Sequence, residues 1–257
     1  PLPFWKKELD RFFVTIEVEE NAQYRIGDVK VTGNDEFLDE QVLAVLGLEK
    51  GAIYNETMLR EGFESLTKLY GARGYINATP VPLHDFDDQN NIVNLTIDIE
   101  EDRQFFVNRI NFRGNTTTRD KVIRREILLQ EGGIFNSRLW DVSLLRLNQL
   151  GYFEEVKEES ADIKPDSVLP EVDITLEVQE KGRQSIGFNG GVSGIGGSFL
   201  GLNYSTNNFL GFGETLSVNI QGGTRQSNFI FSFTEPYLLD RPISTGFSIF
   251  KSEFRFD

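Results

Sequence analysis

The sequence has no cysteine, one histidine and one methionine. The first absence excludes disulfide staples, thiol nucleophiles and cysteine-based metal centres together, and leaves the compartment open. A single histidine rules out paired imidazoles for acid–base or metal chemistry. That residue, His84, stands beside Asp85, Asp87 and Asp88, a run that reads as a solvated turn. Long apolar runs are missing too. No window approaches the roughly 18 continuous apolar residues of a spanning helix, although the weaker alternation of membrane-barrel strands is untouched by that test. The opening Pro1-Leu2-Pro3-Phe4-Trp5-Lys6-Lys7 lacks the basic-then-apolar form of a signal peptide, so an internal fragment is expected.

What is present is unevenly placed. The 257 residues are 39% hydrophobic, enough for ordinary small cores, and carry a net charge of -14. From Arg183 to the C-terminus there are five basic and five acidic residues, so the whole acidic excess lies in the first 182. Such a surface repels phosphate backbones, and nucleic-acid binding is not expected. It keeps a module soluble or attracts basic partners.

An internal repeat organises that acidic part. Val29-Lys30-Val31-Thr32-Gly33-Asn34 returns as Ile110-Asn111-Phe112-Arg113-Gly114-Asn115, an offset of 81. The same shift relates Gly51 to Gly132, Ile53-Tyr54 to Ile134-Phe135, and Leu59, Phe63 and Leu66 to Trp140, Leu144 and Leu147. Each unit reads β-α-α-β-β. An alternating strand ends at a Gly-Asn turn. A short helix follows, around Phe37 to Leu46 in one copy and Arg119 to Leu129 in the other. A second helix starts after Asn55 or Asn136, whose side chains suit an N-cap. Its stripe of Leu59, Phe63, Leu66 and Tyr70 has the spacing of a buried helix face. Two strands close the unit, the last being Ile92 to Ile99. Phe12 to Glu20 resembles that closing strand, so the chain is expected to begin in the tail of an earlier copy.

From Gly182 onward helical periodicity vanishes and glycine and aromatics rise. Alternating runs carry Ile186, Phe188 and Val192; Leu200, Leu202 and Tyr204; Leu216, Val218 and Ile220; Phe229, Phe231 and Phe233; and Phe247 and Ile249. Turn chemistry separates them, including Asn207 to Gly213 and Asp240-Arg241-Pro242. Run lengths of about nine to eleven residues suit tilted membrane strands. A soluble sheet packed on one face gives the same alternation; charge depletion and aromatics near strand ends, such as Phe209 and Tyr237, favour the barrel. About five strands cannot close a barrel, which needs at least eight.

Several motifs resemble one family. They are Phe112-Arg113-Gly114-Asn115, Ile123-Arg124-Arg125-Glu126, Arg146 to Glu154, Asn207-Asn208-Phe209-Leu210-Gly211-Phe212-Gly213 and Thr234-Glu235-Pro236-Tyr237. Together with the repeat they resemble the BamA-type outer-membrane β-barrel assembly factors, whose soluble unit is the POTRA (polypeptide-transport-associated) domain. The resemblance implies an α+β chain of tandem β-α-α-β-β POTRA domains followed by the first antiparallel strands of a transmembrane β-barrel. Expected boundaries are 1–22 for the end of a preceding POTRA domain, 23–102 and 103–181 for two POTRA domains, and 182–257 for the barrel start. It further implies a bacterial outer-membrane location with POTRA domains in the periplasm. The implied partners are unfolded outer-membrane protein clients, accessory periplasmic lipoproteins and outer-membrane lipid. A transporter of the same architecture, for autotransporter assembly or two-partner secretion, and a soluble periplasmic scaffold are the alternatives. The family's late Arg-Gly loop and closing strand are not among these residues.

No catalytic constellation or cofactor motif emerges. The carboxylates lie on strands and loops, and Gly194-Ile195-Gly196-Gly197 does not form G-x-G-x-x-G. No enzyme, cofactor or metal is expected, and function is sought in edges and surfaces. Ile76 to Pro82 holds two prolines and belongs at a sheet edge; it either docks extended segments by β-augmentation or merely blocks unwanted pairing. The equivalent Phe153 to Ile163, with Phe153, Val156 and Ile163, is the better docking candidate, having no proline before Pro165. Glu131 is expected to end a helix, where an anion is disfavoured, and so hints at a cationic partner; the resemblance puts it near the surface that meets an accessory lipoprotein. Finally, Gln184 to Ser193, with Gln184, Ile186, Gly187, Phe188, Gly190 and Gly191, would be the seam strand. Its glycines either weaken pairing or relieve crowding in a curved wall.

Overall fold

Alternation in the sequence becomes pleated strands wherever one face can be buried, and the order follows the reading above. A computed structural model describes residues 22–182, 184–194 and 197–255; the expected strand at Phe12 to Glu20 lies outside them. The first repeat contains β1 (Arg25–Thr32), α1 (Asp39–Leu46), α2 (Glu56–Gly71), β2 (Thr79–Asp87) and β3 (Ile92–Glu100). The second contains β4 (Phe106–Arg113), α3 (Asp120–Arg124), α4 (Ser137–Leu150), β5 (Ala161–Pro165) and β6 (Glu171–Glu177). The chain divides into two compact units, Pro1–Phe63 with Val81–Asp98 and Glu64–Pro80 with Ile99–Asp257.

The two copies share their wiring. Their sheets run β1-β3-β2 and β4-β6-β5. The first strand pairs in parallel with the last, Val31 opposite Ile97 and Phe112 opposite Leu176. Each first strand is irregular just after its start, between Ile26 and Val29 or Val107 and Arg109. In both, the loop before the second helix folds back on that strand. Ile26 donates to the Ala52 carbonyl and Val107 to that of Gly133. Asn55 and Asn136 accept the N–H groups of Thr57 and Leu139, as expected of N-caps.

In the second copy Val107, Ile110, Val122, Trp140, Leu144, Leu147, Val172 and Ile174 form one buried cluster. Along α2, Leu59, Leu66 and Tyr70 are buried while Phe63 is half-buried. Gly62 takes the tight position beside it: a Cβ there would meet the Leu46 carbonyl oxygen at 2.6 Å. The first helix of the second copy is shorter than expected, ending at Arg124 rather than near Leu129. Ser143 captures the Leu128 N–H at 2.8 Å, and Ile127 and Leu129 turn into the core instead of continuing the helix. His84 is a residue of strand β2, not of a turn.

Five antiparallel strands follow in meander order: β7 (Gln184–Ser193), β8 (Gly197–Phe209), β9 (Glu214–Gly223), β10 (Gln226–Glu235) and β11 (Thr245–Phe254). The expected turn at Asn207 is shorter, because β8 runs through Phe209. Register stacks the sequence pattern into rows. One row reads Ile186, Tyr204, Val218, Phe231, Ile249; the next, on the other face, reads Ser185, Ser205, Ser217, Ser232, Ser248. A third, two residues on, joins Asn203 to Asn219, whose amides bond at 2.6 Å. The apolar face lies open, with Phe188 83% and Leu200 77% exposed. A packed soluble sheet would cover these side chains.

Gly114 closes the first strand of the second copy at φ 85°, and a Cβ there would collide with the Val178 carbonyl. Gly132 has φ 82° with open space around it. The left-handed backbone costs a non-glycine residue about 1–3 kcal/mol at either position, but only Gly114 adds the clash. Gly114→Ala is therefore expected to lower the thermal unfolding midpoint more than Gly132→Ala, followed by circular dichroism.

Candidate docking edges and the repeat–strand junction

The two predicted docking edges fare differently. Strand β2 is the edge of its sheet, with Pro80 and Pro82 near its start. In the second copy only Ala161–Pro165 is a strand, and it is the edge of β4-β6-β5. Phe153 and Val156 do not line an open edge; both are buried in the core. Phe153 bridges Glu180, Glu154 donates to the Gln179 carbonyl, and Asn148 bonds both backbone groups of Val156. Between Phe153 and Ala161 the chain then swings away from β6 and leaves a cleft of about 560 Å³ lined by Glu154, Glu155, Glu177 and Glu180. Ile163 lies in β5, half-buried against the core. The alternation visible in the sequence was that of core contacts.

Glu131 follows a turn well past α3, so the argument from a helix end does not hold. Its carboxylate accepts the Ile110 N–H at 2.9 Å and pairs with Arg124 at 3.1 Å, while Arg124 also donates to the Ile110 carbonyl. The Ile110 N–H, opposed by partial burial and helped by Arg124, holds the carboxyl below its ordinary range. A cation is thus supplied within the chain, and the pair caps the outer edge of β4.

The seam candidates lie on β7 at the end of the five-stranded sheet, bonded on one side to β8. Ile186 and Phe188 face outward with the apolar rows. Gly190 and Gly191 make room for neighbours: Cβ atoms there would meet Leu200 at 2.9 Å and the Phe199 ring at 3.2 Å. Gly187 has only ordinary contacts. Crowding relief thus accounts for two of the three glycines.

The most elaborate constellation joins the second repeat to the turns of this sheet. Buried Asn208 donates to the Thr118 hydroxyl at 2.8 Å and accepts the Gly213 N–H at 2.8 Å. Arg119 donates its N–H to the Gly211 carbonyl, and its guanidinium lies 3.8 Å from the Phe212 ring centre. Tyr152 donates to the Gly213 carbonyl at 3.1 Å. On the next turn, Arg125 stacks 3.9 Å over Tyr237, whose hydroxyl donates to Glu126 at 3.0 Å. Glu126 is 5% exposed and is also bound by Arg146 at 3.1 Å. Arg146 and Tyr237 both reach this buried carboxylate, which ties the second turn to the repeat. The family resemblance marks these motifs but not their purpose, because contacts between residues some 60 to 110 positions apart leave no periodic trace.

A β-α-α-β-β module anchored directly on an amphipathic, outward-apolar meander defines a class: repeats of this kind fused to a membrane β-barrel. The model of the POTRA surface antigen variable number repeat matches residues 24–102 and 105–181, and that of the Omp85 superfamily domain matches 208–257. An outer membrane protein assembly factor of Treponema pallidum is 32% identical over 94% of this chain and 29% of its own length. The outer membrane protein assembly factor BamA of Buchnera aphidicola is 28% identical over 98% of the chain and 40% of the relative. Crystalline BamA from Haemophilus ducreyi, lacking POTRA domains 1–3, superposes with a TM-score of 0.77 at 27% identity, over 90% of this chain and 43% of that one. The chain belongs to the Omp85 family and is of the BamA type. Its place is the outer membrane, with the POTRA domains on the periplasmic side. It spans well under half the length of these curated relatives.

Glu180 ties the last strand of the repeat to the same junction. Burial pushes its carboxyl up, but the hydroxyl and N–H of Thr118, with Thr116 and Thr117, together outweigh this and hold it at about 2. Because the folded value lies below the unfolded one, the stabilisation is present above about pH 4.5 and is lost as pH falls towards 2. Wild type should therefore lose stability between pH 5 and about 2 more steeply than Glu180→Gln, measured by denaturant midpoints at each pH.

Proposed function

We propose that the chain forms the membrane-proximal part of an assembly factor that folds and inserts outer-membrane β-barrel proteins. In this reading the POTRA repeats dock unfolded clients and accessory periplasmic lipoproteins, and β7 forms one side of a lateral seam. The work is done without a chemical step, nucleotide or cofactor. The observation that supports it best is the junction: a docking module hydrogen-bonded to the turns of a lipid-type sheet carries a bound client straight to the membrane. Edge strand β2 offers backbone groups for extended segments, as β-augmentation requires.

The test uses the full-length protein that contains this chain, reconstituted in liposomes with an unfolded barrel client. Insertion, read as the heat-modifiable band on a gel, should be faster than in protein-free liposomes. Because the present residues lack cysteine, Ser185→Cys should crosslink to client cysteines during insertion. An unchanged insertion rate with no crosslink would contradict the proposal; export of a dedicated partner instead would favour the related transporters.

A further inference from the structure

The two turns at the repeat side of the five-stranded sheet each hold a leucine in an unusual state. Leu210, between β8 and β9, has φ 49°, and Leu239, between β10 and β11, has φ 55°. That left-handed region suits glycine, asparagine and aspartate. Asn208, Gly211, Gly213 and Asp240 take it in the same turns, whereas a leucine there is strained. Both leucines also point away from the protein. Leu210 is 67% and Leu239 85% exposed, and Leu238 and Ile243 are exposed beside the second. Neither the strain nor the exposure is offset by any packing within the turns.

The polar side of each turn is already taken by the second repeat. The Gly211 and Gly213 carbonyls accept from Arg119 and Tyr152, Tyr237 donates to Glu126, and Asp240 pairs with Lys121 at 3.1 Å. Leu238 donates its N–H to the Ile243 carbonyl at 3.0 Å, which closes the second turn on itself. An extended protein segment would find few backbone groups to pair with here; what remains on offer is apolar side chains. The last apolar row of the sheet before these turns is Leu216, Phe233 and Phe247. Exposed Arg241 stands between Leu239 and Ile243 in the sequence. Apolar side chains beside a cation, at the end of strands with an apolar face, match the boundary where acyl chains meet phosphate headgroups.

We propose that Leu210 and Leu239, with Leu238 and Ile243, are wedges seated in the periplasmic leaflet of the outer membrane, with Arg241 at its phosphates. They hold this end of the sheet at the membrane surface, and their burial in lipid offsets the backbone strain. This rests on the outer-membrane place of the chain and not on the insertion of clients.

The test uses the full-length protein in liposomes of phosphatidylcholine and phosphatidylglycerol. It carries a nitrobenzoxadiazole label on Leu210→Cys, on Leu239→Cys or, as a water-exposed reference in the β5–β6 turn, on Val168→Cys. Lipids with a nitroxide near the headgroup should quench the labels at the two leucine positions about two-fold more than the reference, and aqueous iodide should do the reverse. Iodide quenching equal to the reference at both positions would overturn the proposal. Shielding from both quenchers would overturn it too, since the leucines would then pack on protein. Leu210→Gly with Leu239→Gly suits the left-handed backbone and removes both wedges. It should roughly halve the nitroxide quenching of a label on Ile243→Cys. Unchanged quenching there, in protein that keeps its heat-modifiable band, would contradict the anchoring role.

Discussion

A pleated strand sends successive side chains to opposite faces, and a register slip of one residue would invert them all. In the five-stranded sheet this constraint turns five separate alternating runs into whole rows. Ile186, Tyr204, Val218, Phe231 and Ile249 share one face, and the five serines from Ser185 to Ser248 share the other. Such rows leave a broad apolar surface that water tolerates poorly. Everything joined to the sheet must therefore allow one face to meet a bilayer.

The junction meets that demand from the soluble side. The turns that end β8 and β10 would expose backbone groups near a membrane surface. Instead Arg119, Asn208 and Tyr152 satisfy those of the first, while Arg125, Glu126 and Tyr237 clamp the second. Burying Glu126 is tolerable only because Arg146 and Tyr237 both reach it. The glycines of the first turn follow from the same closeness: a Cβ at Gly211 would strike the Thr117 carbonyl, and one at Gly213 the Arg125 guanidinium. The second repeat and the sheet are thus joined at this point.

Most of the architecture was legible because it is periodic or local. The offset repeat gave both β-α-α-β-β units, Asn55 and Asn136 marked helix starts, and Gln184 to Ser193 matched β7. What escaped depended on distant partners. Ser143 ends α3 from the following helix, so no local signal shortened it. Phe153 and Val156 alternate as an edge strand would, yet face the core because Asn148 folds their segment inward. Glu131 does not end a helix, because α3 stops at Arg124, and its carboxylate is held by Arg124 and the Ile110 N–H instead. His84 carried no periodic signal that it would meet Tyr54.

The most direct test of the account follows from the rows. Single cysteines placed at Tyr204, Val218 and Phe231, and at Ser205, Ser217 and Ser232, can be spin-labelled in the full-length protein in liposomes. Collision rates with oxygen and with a water-soluble nickel complex then report lipid and water at each site. The account predicts oxygen-rich, nickel-poor environments for the first three and the reverse for the serine positions. Equal nickel access on both faces would contradict it, because the apolar rows would then face water.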